Sequence, residues 1–109
     1  MTARRILPTR RPQITITREW GPQANPTRFA ISVGFYDLAM KQPGEVFISA
    51  TKTGSEMQVL ANDAAVTISF ALQHGADIDT LRRAMAKDAM GRPQSLLGRA
   101  LEAIAEEIA

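Results

Sequence analysis

The chain has 109 residues, the size of one domain with one core. Hydrophobic residues make up 45% and charged residues 22%, a balance that excludes wholesale disorder, and no apolar run approaches the ~20 residues needed to span a bilayer. Cysteine is absent and His74 is the single histidine, which excludes disulfides, thiol chemistry and a multi-histidine metal site and leaves His74 as the only base for a serine triad.

The formal net charge of +2 is unevenly spread. Residues 1–28 carry Arg4, Arg5, Arg10, Arg11, Arg18 and Arg28 against the single acid Glu19, and the remainder holds seven basic residues against ten acidic ones. A basic arm on a mildly acidic body suits an anionic partner such as phosphate, nucleic acid or an acidic protein face. The stretch "MTARRILPTRR" is charged but lacks an apolar segment, so it does not read as a secretory signal and a cytoplasmic location is expected.

In chain order, residues 1–12 contain Pro8 and Pro12 and no periodic pattern, which predicts an extended basic arm ahead of a single domain over 13–109. "QITITREW" over 13–20 alternates, with Ile14, Ile16 and Arg18 on one side and Thr15, Thr17 and Glu19 on the other, the period of a strand. After "GPQANPT", residues 28–38 form a second strand with Phe29, Ile31, Val33 and Phe35 on one face. "AMKQPGE" turns the chain into a third strand over 45–51. Short links make this an antiparallel meander. Its two edges predict strand pairing with a partner or a homodimer.

The second half reads as helical. Residues 55–74 repeat apolar or small residues at Met57, Leu60, Ala61, Ala64, Ile68, Ala71 and Leu72, and Gly75 suits the position just after a helix. Asp77 caps a second helix over 77–88, with Ile78, Leu81 and Met85 inward. Ser95 caps a third over 95–108, with Leu97, Leu101, Ile104 and Ile108 on one stripe. Strands followed by helices predict an α+β fold with the helices on one face of a small antiparallel sheet.

The strand–turn–helix at "PGEVFISATKTGSEMQ" has the layout of a phosphate site but not its residues. Gly54 is followed by Ser55 and Glu56 rather than by a lysine, and three spaced glycines are missing. Ser55 with Gln58 three residues later reads better as a capping box. Lys52 and Ser55 therefore remain secondary candidates for anion contact. The stronger ones are Arg4, Arg5, Arg10 and Arg11, since guanidinium binds phosphate and carboxylate bidentately, and Ile6, Leu7 and Pro8 between them are apolar enough to dock the arm on a surface. His74 at a helix end reads as a capping residue. Asp77, Asp79 and Asp88 have no metal-loop spacing. No catalytic, cofactor or metal site is expected from the residues themselves.

Three blocks, in order, carry a family likeness: "LPTRR" over 7–11, "GEVFISATKTGSE" over 44–56 and "ALQHGADIDTLRRAM" over 71–85. From about Leu7 to Ile108 the chain resembles the TSCPD domain, found near the C-terminus of adenosylcobalamin-dependent (class II) ribonucleotide reductases and as free-standing small proteins. The Thr-Ser-Cys-Pro-Asp motif that names the family is missing after Met90, as is any cysteine for a thiyl radical or an electron-supplying pair. The resemblance implies a non-catalytic accessory or regulatory domain in deoxyribonucleotide supply. It would bind a reductase subunit, a nucleotide, or both, and adenosylcobalamin would belong to the full-length reductases rather than to this chain. Two alternatives stand beside it: a nucleic-acid-binding module using the basic arm, and a purely structural homodimer.

Overall fold

The computed structural model describes residues 3–50 and 56–109. Three strands, β1 (Gln13–Trp20), β2 (Thr27–Phe35) and β3 (Pro43–Ala50), are followed by three helices, α1 (Glu56–Gln73), α2 (Ile78–Ala84) and α3 (Leu96–Ile108). The sheet is an antiparallel meander in the order β1-β2-β3, so the chain has the expected α+β fold.

Register explains why one face of the sheet is buried. Ile16, Ile31 and Ile48 stand side by side across the three strands, as do Ile14, Val33 and Val46. Strand alternation puts all of them on one face. Phe29, Phe35 and Ala50 complete that layer, and α1 and α3 cover it with Ala61, Ala65, Ile68, Leu72, Ala100, Leu101, Ala103 and Ile104. The alanines of α1 let its backbone lie close to the sheet, so this helix needs few large side chains inward. Leu60, read from the sequence as inward, is 63% exposed. α2 packs on α3, with Ile78 buried in the shared core.

The predicted caps of α2 and α3 form: Thr80 N donates to Asp77 Oδ1 (2.7 Å) and Gly98 N to Ser95 Oγ (3.0 Å). Gly75 takes φ +101°, the left-handed conformation that ends a helix with least strain for glycine.

Three predicted boundaries move by two residues or more. β2 ends at Phe35 rather than at residue 38, because the Asp37 carboxylate accepts from the N–H groups of Lys41 (3.1 Å) and Gln42 (2.9 Å) and turns the chain there. β3 begins at Pro43 rather than at residue 45, with Phe35 opposite Pro43 across a register shift. α2 ends at Ala84 rather than at residue 88. Lys87 Nζ donates to the carbonyls of Arg82, Arg83 and Met85, while Asp88 Oδ1 accepts from Met90 N and Arg92 N and builds a turn in place of a further helical turn. The predicted Ser55 end of the capping box lies outside the described residues.

The prediction of two open sheet edges is corrected at one of them. β3 lies beside a polar stripe of α1. Val46 N donates to Ser69 Oγ (2.9 Å), Ala50 N to Gln58 Oε1 (2.7 Å), and Gln73 Nε2 donates to Gly44 O (2.9 Å). Gln58 Nε2 also donates to Ile48 O (3.3 Å). Helix side chains thus take the place of a fourth strand, which removes the pairing template that an edge presents.

Candidate functional site: the docked arm and the α1–β3 groove

The predicted arm lies against the body. Arg5 N donates to Gln73 O (2.7 Å), Arg4 Nε to Gln73 Oε1 (2.7 Å), and Tyr36 Oη to Arg5 O (2.7 Å). Gln73 sits at the last turn of α1 with 7% of its surface exposed. Its amide is used at both ends, with Arg4 on its oxygen and Gly44 O on its nitrogen, and so ties arm, helix and strand together. Leu7 fits where Gly44 has no side chain: a Cβ there would come within 2.7 Å of Leu7 Cδ2 and 2.5 Å of the Tyr36 ring.

The predicted anion-binding arginines are not gathered into one clamp. Arg5 stacks on Tyr36 with its guanidinium carbon 3.9 Å from the ring centroid, and its Nη1 donates to Gln42 Oε1 (3.1 Å). Arg11 is held bidentately by Glu45 (2.7 and 3.1 Å) and also donates to Pro8 O (2.7 Å). The Glu45 hydrogen bond raises the Arg11 pKa above its ordinary value, with burial opposing. Arg4 lies 5.0 Å from the centroid of Phe70, a cation–π distance. Arg10 is exposed and takes no part in this network. Lys52 and Ser55 lie outside the described residues.

Two concave surfaces adjoin the arm. The larger, about 910 Å³, opens between the arm, the β2–β3 turn, α2 and α3. It is lined by Arg5, Lys41, Arg82 and Arg83, and also by Asp79, Glu102 and Glu106. Arg82 is paired with Asp79 (3.1 Å), and Lys41 Nζ donates to Ile108 O (3.1 Å). Its cations already face local acceptors, so the field on an incoming phosphate is mixed in sign.

The smaller, about 340 Å³, is the groove between β3 and α1. Phe47, Val66 and Phe70 stand along it with Arg4 at its end. Phe47 is 56% exposed, Val66 54% and Phe70 48%. α1 is therefore apolar on two faces: its alanine-rich face meets the core, and Val59, Val66 and Phe70, spaced at near-helical multiples, face outward. Scattered exposed apolar residues are normal, but an aromatic-rich contiguous set beside an arginine has the composition of an interface core.

The sequence reading missed Gln73, Ser69, Tyr36 and Glu45, which make the arm and edge contacts, and the Phe47–Val66–Phe70 set. Alternation in "EVFIS" does imply that Phe47 points away from Val46 and Ile48. The second apolar stripe of α1 could also have been read from the spacing of Val59, Val66 and Phe70. The role of Gln73 has no local signal, because its partners lie far away in sequence.

No protein-family model, no curated protein and no solved structure matches this chain.

Proposed function

We propose that this chain is a non-catalytic protein-binding domain whose partner is a ribonucleotide reductase subunit, docked on the α1–β3 groove. The observation that carries the reading is the exposed set of Phe47, Val66 and Phe70, with Arg4 held over Phe70 at the rim. Aromatic and arginine side chains in a partly preformed groove supply the anchors on which protein interfaces depend. The choice of partner rests on the resemblance to the TSCPD domain. In the class II reductases that domain is part of the reductase chain, and a free-standing relative would need a surface through which to regain that contact.

A nucleotide ligand has less support. Arg11 is neutralised by Glu45, Arg5 is stacked on Tyr36, and the larger cleft is lined by carboxylates as well as by cations. The same engagement weakens the nucleic-acid reading, because phosphate contacts need free cations along one face.

Co-purification separates these readings. The tagged domain should retain the host's reductase catalytic subunit, and Phe47→Ser should abolish retention while leaving thermal unfolding nearly unchanged. Retention of no reductase, together with a saturable nucleotide titration, would replace this reading with the ligand-binding one.

A further inference from the structure

We propose that the protein pairs with a second copy of itself through the outer edge of β1, joining two three-stranded sheets into one continuous six-stranded antiparallel sheet. The rest of the chain treats the two sheet edges differently. On β3, side chains of Gln58, Ser69 and Gln73 occupy the outward backbone groups. On β1 nothing comparable is present among the described residues.

The ladder defines which groups are free. Phe35 N donates to Pro12 O, and the register sets Ile14 opposite Val33, Ile16 opposite Ile31 and Arg18 opposite Phe29. The alternation of an antiparallel pair then directs the N–H and C=O of Gln13, Thr15, Thr17 and Glu19 away from β2. Among the described residues one hydrogen bond reaches this row, from Arg18 Nη1 to Thr17 O (3.0 Å), and a carbonyl has a second lone pair. The strand runs eight residues with no register shift, and within it there is no proline or lysine, so three of the devices that blunt exposed edges are missing. Its one inward-facing charge, Arg18, is engaged by Glu106 (3.9 Å) and Glu107 (3.5 Å) of α3.

A second copy fits this edge because the row is self-complementary. A twofold axis at Ile16 sets Thr15 opposite Thr17 of the other copy and Gln13 opposite Glu19 of the other copy, so all four outward-facing residues are paired. A shift of two residues in either direction leaves one of them without a partner in the strand. Register centred on Arg18 would set like charges face to face, which is destabilising. On the core face, the aliphatic stem of Arg18 would lie beside Ile14 of the second copy, covering a residue that the monomer leaves half-buried. The α1–β3 groove lies at the opposite edge of the sheet and stays open in such a dimer, so this pairing is independent of the proposed function.

Sedimentation equilibrium of the full chain over a concentration series tests it. The expected wild-type species is a dimer. Thr15→Pro removes an outward N–H without touching the backbone bonds to β2, losing only the exposed hydroxyl contact with Ser32 (3.2 Å), and an edge strand tolerates proline there. The double variant Thr15→Lys/Thr17→Lys instead sets like charges opposite each other. Each should raise the dimer dissociation constant by more than about tenfold with the circular dichroism spectrum retained. If the proline variant fails to fold, the lysine pair decides. A wild-type monomer at every concentration, or a dimer that survives in every variant that folds, overturns the proposal.

Discussion

The Ser69 hydroxyl sits on the backbone of Val46. It accepts from Val46 N at 2.9 Å and lies 3.2 Å from Val46 O and 2.9 Å from Ala65 O, which share its single proton. A helix side chain thereby replaces the strand that Val46 would otherwise bond. Ser69→Ala leaves the Val46 N–H unpaired at a part-buried site and should cost about 1–3 kcal/mol. The midpoint of urea unfolding would fall accordingly. An unchanged midpoint would show that water satisfies the strand edge as well as the serine does.

Gln73 holds the arm as Ser69 holds the edge. Gln73→Leu keeps the volume but removes the partners of Arg4 Nε and Gly44 O, with an expected loss of about 1–3 kcal/mol. The distinguishing readout is local. Trypsin cleavage at Arg4 and Arg5 should become faster than in the wild type, and hydrogen exchange at Arg5 N should lose protection, while α3 is unaffected.

A side chain at residue 44 should release the same arm from its other side. Gly44→Ala brings a Cβ against Leu7 and the Tyr36 ring. The ring and the arm have room to move outward, whereas the core beneath does not, so the arm should give way first. Faster proteolysis at Arg4 and Arg5 with β-sheet protection retained is the expected result.

Acid sensitivity should come from three turn and cap carboxylates. Asp37 is lowered below the usual carboxylate range chiefly by the Gln42 N–H, Asp77 by the Thr80 N–H and Asp88 by the Arg92 N–H. A folded-state value below the unfolded one gives stability that is present above about pH 4 and is lost as pH falls through the folded value. Asp88→Asn keeps an acceptor but no longer titrates. Its stability should therefore vary less with pH than that of the wild type below about pH 4. Equal slopes in the two proteins would count against this assignment.

Much of the fold was legible because the signals are local. The alternation of "QITITREW" and "RFAISVGF" determines which residues meet the core, and Asp77, Gly75 and Ser95 act at the helix ends that they mark. The missed boundaries depend on side chains that bond the backbone a few residues on, Asp37 and Asp88, whose turns compete with strand and helix. The site was less legible. Arg4, Arg5 and Arg11 stand out by charge, but their partners Gln73, Tyr36 and Glu45 are remote in sequence, so their use as internal fastenings depends on tertiary structure. Leu60 misled because the buried stripe of α1 runs through Ala61, Ala65, Ile68 and Leu72, and Leu60 lies roughly 100° round the helix from Ala61.

We propose that the groove of Phe47, Val66 and Phe70 binds a reductase subunit. Calorimetric titration of the domain into the host's reductase catalytic subunit tests it most directly, with the wild type, Phe47→Ser and Val66→Asp compared. The expected result is saturable wild-type binding, weakened in each variant by about 30-fold or more, as for an interface anchor worth about 2 kcal/mol. No binding by the wild type, or equal affinity in both variants with the fold retained, would contradict it.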